Sequence, residues 1–343
     1  MQDYNIEQIS KVKKEKLDEF YNIVFQKRNK ILINNWKWIY RFGYLNYEPI
    51  LLLNNKKKIV GQAALIPTKI SYKDILYPAV WFVDFVILKE FRGKGLGEFL
   101  TKEWMKICPN QITYCNNNSL KIFKKHGWES NKTSKRIALP INYLKFIPII
   151  KKYNFVLLEK IFLRKKKSKL NTIPLISPKL LTEDKNKIMN FFLDKKIISD
   201  ENLKILRDGD WFVWRFFDNP FNSNIYYFEY ENNFTIVHIF KTNNIKRLNI
   251  LYFFCSDTSK EDYLFLIIYK WVLTNSIDLI WANSSDENLV NKLKESFKTL
   301  SIKSLTFASY TSNELIKKKL KNGISNIYAA DSDNDILQIN NNY

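Results

Sequence analysis

Between Glu15 and Arg28, apolar residues recur at helical spacing, with Leu17, Phe20, Ile23 and Val24 on one face, which predicts a helix. "NNWKWIYRF" (34–42) predicts a second, shorter helix with aromatic anchors. The pattern then shortens. "PILLLNN" (49–55) and "KIVGQAALIPTKISY" (58–72) read as two strands joined through a lysine-rich turn, and "AVWFVDFVIL" (79–88) as a buried central strand. Helical spacing returns after Gly97, with Phe99, Leu100, Trp104 and Ile107 on one face. "QITYC" (111–115) predicts a short strand. "NNSLKIFKKH" (117–126) predicts a helix, with Gly127 just past its C-terminus. Helices, antiparallel strands, a central strand, a glycine loop and an alternation of helix and strand make a mixed α/β layer architecture.

The remainder repeats this layout. "DWFVWRFFDNP" (210–220) echoes "NNWKWIYRF", with Trp214-Arg215-Phe216 matching the Trp38, Arg41, Phe42 cluster. "NIYYFEY" (224–230) and "FTIVHIF" (234–240) read as a hairpin, "RLNILYFFC" (247–255) as a buried strand and "DYLFLIIYKWVL" (262–273) as a helix. "DLIWANSSDENLVNKLKESF" (278–297) parallels "ITYCNNNSLKIFKKHGW": a strand ends at asparagines and starts a helix. The expected units are 1–140, a basic linker with one helix (Tyr153 to Arg164) at 141–180, a second copy at 181–325 and a frayed polar tail at 326–343.

Length and composition agree with two packed units: 343 residues, 46% hydrophobic and 15% aromatic. No apolar run is long enough to span a membrane, and no apolar leader opens the chain. Three cysteines and two histidines offer no metal-ligand spacing, so no metal is expected, and free thiols suit a reducing cytoplasm. The net charge of +21 comes with general enrichment in lysine, asparagine and isoleucine, a compositional bias that raises charge without building a nucleic-acid site. The basic stretch at 142–169 leaves two readings open, a solvated interdomain segment or a peripheral contact with an acidic membrane surface.

Candidate chemistry concentrates in "FRGKGLGEFL" (91–100), which holds three of only eight glycines. A glycine loop between a strand and a helix N-terminus can cradle phosphate, because the backbone comes close and the helix end adds partial positive charge. The spacing fits neither the P-loop nor the dinucleotide fingerprint. Arg92, Gly95 and Gly97 do satisfy Q/R-x-x-G-x-G/A, and this stretch closely resembles the pyrophosphate loop of the GNAT (GCN5-related N-acetyltransferase) superfamily. "NNNSLKIFKKHGW" (116–128) resembles that family's next motif, in the same order and spacing. The resemblance covers residues 15–140.

It implies a GNAT fold with a central mixed, mostly antiparallel sheet flanked by helices, here duplicated. It also implies a CoA-dependent N-acyltransferase using acetyl-CoA or another acyl-CoA on a small-molecule amine, an amino sugar or surface-polysaccharide precursor among the acceptors such tandem layouts suggest. The pantetheine arm is then expected along Phe85, Val86, Ile87 and Leu88. The pyrophosphate is expected on Arg92, Gly93, Lys94, Gly95, Leu96 and Gly97, with Asn116, Ser119 and Phe123 from the second motif.

Phe123 stands where family members often carry a proton-donating tyrosine, so either a nearby tyrosine substitutes, Tyr114 being the nearest in sequence, or the thiolate leaves unassisted. Asp84 interrupts an apolar run, where a carboxylate is costly without a partner, and is either a general base or a buried bonded group. Strand alternation places it with Phe82, Val86 and Leu88. Glu48 lies before the first strand of the hairpin, where this family shapes its acceptor site. The second copy has Ser256 to Asp262, without glycine and with three carboxylates, where the loop should be, so it is not expected to bind CoA. Two other readings stay open: a Fem-type transferase drawing on aminoacyl-tRNA, and a catalytically silent CoA sensor.

Overall fold

A computed structural model describes residues 3–142, 170–193, 202–255, 261–297, 301–324 and 327–332. The expected linker helix, the basic stretch beyond Asn142, most of the acidic 256–262 loop and the last eleven residues lie outside them. The first half runs β1 (Tyr4–Gln8), α1 (Lys14–Val24), α2 (Asn29–Ile39), β2 (Ile50–Asn54), β3 (Ile59–Tyr72), β4 (Ile75–Ile87), α3 (Leu96–Met105), β5 (Asn110–Tyr114), α4 (Asn117–Lys125), β6 (Glu129–Asn131) and β7 (Lys135–Pro140). After it come β8 (Lys179–Leu180), α5 (Lys185–Leu193), β9 (Lys204–Ile205), α6 (Gly209–Phe212) with a π-helical turn (Val213–Phe217), β10 (Ile225–Tyr230), β11 (Asn233–Thr242) and β12 (Ile245–Phe254). α7 (Glu261–Thr274), β13 (Leu279–Ser284), α8 (Glu287–Ser296), β14 (Ser301–Ser304), β15 (Phe307–Thr311) and α9 (Glu314–Lys321) complete the order.

Two mixed sheets result, and they have the same plan. The first is ordered β1-β2-β3-β4-β5-β15-β6, with β9 added on β3. The second is β8-β10-β11-β12-β13-β7-β14. In each, one parallel pair sits at the centre, β4 with β5 and β12 with β13, and the other pairs are antiparallel. The duplication expected from sequence pattern is therefore visible strand for strand. The boundaries are not those expected. β7, placed with the first unit, lies between β13 and β14, and β15, placed with the second, lies between β5 and β6. Each half lends its last strand to the other's sheet, where it takes the place next to the edge. The physical reason is register: Ile137 and Leu139 are buried on the second sheet and Phe307 and Ala308 on the first, and nothing local in sequence selects between the two slots.

The halves also meet through their matching tryptophans. The Trp38 indole donates to the Trp214 carbonyl at 2.7 Å, and the Trp214 indole donates to the Trp38 carbonyl at 2.8 Å. A reciprocal pair of this kind is what a two-fold relation between copies produces. Trp211, Trp214, Tyr227 and Trp281 are buried, and one hydrophobic cluster runs through both sheets.

Candidate active site

The site begins where β4 and β5 part. Their parallel ladder holds only at Val80–Gln111 and Trp81–Ile112. The Thr113 hydroxyl then donates to the Phe82 carbonyl at 2.7 Å. Beyond that, among the described residues, β4 has no strand opposite it on the β5 side. The gap is a cavity of about 290 Å³. Successive β4 residues point to opposite faces, and the ring contacts divide accordingly. Phe82 packs against Trp104 at 4.1 Å and Phe123 at 5.4 Å on the α3–α4 face. Trp81 packs with Tyr114 and Phe307 at 5.4 and 6.2 Å on the other face. The cavity is lined from both groups, so it is a slot through the sheet.

On the α3–α4 face the glycine loop comes up to the slot. Gly93 and Gly95 have φ of +79° and +74°, a left-handed backbone that side-chain-bearing residues rarely adopt. Gly95 is the N-cap of α3, whose first N–H groups face out of the loop without a side-chain cap. Leu96 is buried, so its backbone is what it can offer a ligand. A Cβ at Gly93 would meet nothing within 4 Å, and one at Gly97 would make ordinary contact with Phe85 at 3.6 Å. The fold does not forbid a side chain at Gly97; a ligand lying against it would. The Arg92 Nε donates to the Ile87 carbonyl at 2.9 Å, tying the loop to the end of β4, and Lys94 lies over the Phe91 ring.

Asn116 caps α4: its Oδ1 accepts from the Asn118 and Ser119 N–H groups, each at 3.0 Å. Asn116, Ser119, Phe85 and Phe123 all line the slot, as expected from the motifs, whereas Val86 and Ile87, which end β4, and Leu88 just after it do not.

The other face differs from expectation. β4 carries a bulge: Gln62 faces Val86 and Ala64 faces Val83, so Ala63 stands opposite both Asp84 and Phe85. Asp84 has φ of +48°, and the simple alternation assumed for it fails there. Its side chain is 4% exposed and enters an ion pair with Arg28, itself 8% exposed, from the elbow between α1 and α2. Its other oxygen accepts from the Tyr40 hydroxyl at 2.8 Å, and Tyr40 in turn accepts from the Gln62 amide at 3.1 Å. Asp84 lines the slot with both oxygens partnered, the bonded alternative of the two considered.

Tyr114 also lines the slot. Its hydroxyl donates to Ser134 Oγ at 3.0 Å, and burial holds its pKa well above the usual phenol value. Glu48 is elsewhere: its carboxylate accepts the Ser10 N–H at 3.1 Å, closing the turn after β1, and it does not line the slot.

Residues missed by sequence reading complete the wall: Phe25 from the elbow, Cys115, whose thiol is pushed up to about 11 by burial, and Ser332. Ser332 belongs to the tail expected to fray. Instead, Tyr328 bridges to Ser284 and packs on Tyr252 at 5.2 Å, and Asp331 is paired with Arg207 at 2.5 and 2.8 Å. The Ser332 carbonyl accepts from Arg215 at 3.0 Å. This strap lies over β12 and β13, whose ladder runs through four pairs from Arg247–Leu279 to Ile250–Ala282. The second half thus has a more closed centre with its own chain across it. The asparagine cluster, the glycines and Asp84 in its apolar run had a readable signal; the elbow and the strap are brought in by tertiary structure.

No protein-family model matches the chain, and no curated protein sequence matches it. Solved structures do. A GCN5-related N-acetyltransferase from Anabaena variabilis matches over 90% of this chain and 73% of its own, at 14% identity and a TM-score of 0.58. N-myristoyltransferase from Saccharomyces cerevisiae, solved with bound myristoyl-CoA, matches over 90% and 82%, at 14% identity and a TM-score of 0.54. A probable N-acyltransferase from Enterococcus faecalis matches over 89% and 71%, at 11% identity and a TM-score of 0.53. The chain has the fold of these acyltransferases across both halves.

Proposed function

We propose that the chain is an N-acyltransferase that moves an acyl group, acetyl in the first instance, from an acyl-CoA to the primary amine of a small molecule by direct attack. The observation that carries this reading is the slot through the first sheet, with the glycine loop and α3 N-terminus on one face and a separate aromatic and polar mouth on the other. The residues present fit an acyl-CoA. An unpaired strand edge suits the amides of a pantetheine arm, and left-handed glycines before an uncapped helix end suit a pyrophosphate. Arg92 and Lys94 add positive charge. The second half's more closed centre, crossed by the strap, suits a single cofactor site.

The thioester supplies the activated acyl carbon; the chain supplies placement. The acceptor amine enters on the Phe25, Tyr114 and Ser332 side. Asp84 acts as a positioning residue, because Arg28 and Tyr40 occupy its oxygens and fasten the elbow to the bulge. Tyr114, on the wall of the slot, is assigned to donate a hydrogen bond to the leaving sulfur, the role that Phe123 cannot fill.

Calorimetry with acetyl-CoA tests the reading. The intact chain is expected to bind at one site. Gly97→Ala should stay folded and bind more weakly, because the fold has room for the methyl group and a ligand against the loop does not, and Gly97→Glu should lose binding by clash and charge. An intact chain that fails to bind acetyl-CoA refutes the proposal.

A further inference from the structure

A second cavity, of about 760 Å³, lies in the second half, away from the slot, at the end where β11 runs out, β12 begins and α7 finishes. Its walls carry His238, Tyr226, Trp271, Lys241 and Lys246. Lys246 on β12 marks its position. Six residues along the same strand, about 20 Å at the rise of a β-strand, Tyr252 meets the strap.

We infer that this cavity is a binding site for a phosphomonoester carried on a sugar or nucleoside ring. His238 is 4% exposed, and its ring lies 4.8 Å from Phe240. It makes no hydrogen bond to the described residues, yet it lines the cavity. Its ring nitrogens are thus available at the cavity wall, where a ligand oxygen can meet them. Two lysines line the cavity and no described lining residue is acidic. The Lys246 ammonium gives one bond to the Asn275 carbonyl at 3.2 Å, and two of its three donors remain. The nearby Asp278 is occupied, its oxygens accepting from the Lys246 N–H at 2.7 Å and the Asn142 amide at 3.2 Å. Cations and a neutral donor with no opposing carboxylate select an anion with several acceptor oxygens. Tyr226 and Trp271 add aromatic surface for a ring, and the volume lies within the range of small-ligand sites.

The chain has two histidines, and each reports a different place. His126 lies beside Glu98 of α3, near the slot, whereas His238 lines the cavity. The full chain with labelled histidine is titrated with ribose 5-phosphate, AMP and inorganic phosphate, following both imidazoles by NMR. Ribose 5-phosphate or AMP should shift the His238 signals saturably and leave those of His126 in place with ribose 5-phosphate. Lys241→Glu, an exposed change, should weaken that binding about tenfold or more. Three results overturn the inference: His238 signals that stay unmoved up to about 10 mM, where even a weak specific site fills; both histidines drifting together without saturation; or Lys241→Glu binding unchanged. Inorganic phosphate saturating as tightly as the ring-bearing esters overturns the assignment of the ring.

Discussion

Arg28 and Asp84 offer a direct way to separate a base from a brace. Both are almost fully buried, at 8% and 4% exposure, and they join an elbow between two helices to a bulge in the central strand. Removing one partner of such a pair leaves a buried charge unmatched, a loss of about 3–5 kcal/mol. Arg28→Met and Asp84→Asn are each expected to destabilise by about 3 kcal/mol or more, read from urea unfolding. The double variant should lose well under the sum, with a coupling of about 2 kcal/mol, because the second change removes a charge already stranded. In acyl transfer followed by thiol release, a brace lowers kcat in both single variants and leaves the shape of the pH profile alone. A general base behaves differently: Asp84→Asn would abolish the acidic limb of the profile and Arg28→Met would not. Additive stabilities, within about 0.5 kcal/mol, or a pH limb lost only in Asp84→Asn, would refute the positioning role.

Three further outcomes follow from the geometry. Tyr114→Phe should lower kcat while leaving acetyl-CoA affinity in calorimetry within a factor of about two, since only the proton, not the ring, is removed; unchanged kcat sinks the assignment. Burial lowers the His238 pKa to about 4 from 6.5, so the unfolded chain takes up that proton first. Stability should therefore fall as pH drops from about 6.5 to 4, by about 3 kcal/mol from this residue, and His238→Gln should flatten that span in denaturation measured at several pH values. Expressed separately, residues 1–170 and 171–343 should each fail to give a cooperative thermal transition, because each lacks the strand the other holds; an independently folded half by circular dichroism and size exclusion would contradict this.

What could be read from the chain was local. Helix spacing, the apolar run of β4 and the glycine cluster each depend on neighbours within a turn or a strand, and each was found where expected. Asp84 could be recognised as costly, but its partner comes from the elbow at Arg28, and no pattern links the two. The bulge broke the alternation used to orient Asp84, because one extra residue reverses every side chain after it. Polar composition hid the strap: Ala329 and Ala330 are fully buried, and Asp331 is held by Arg207 rather than by water. β7 and β15 were each recognisable as strands in principle, yet the sheet that takes them is decided by partners far away in sequence.

That exchange has a bearing on how the chain comes into being. On the ribosome the first half emerges with β5 and β6 unable to join, since the strand between them, Phe307–Thr311, is made long after both. β7 waits in the same way for β13 and β14. Until then both sheets present open edges, the state in which nascent chains most readily pair wrongly. The glycine loop can thus be complete long before the sheet that carries its slot. A second half without a glycine loop of its own is therefore not dispensable: deleting it would remove a strand from the half that keeps one.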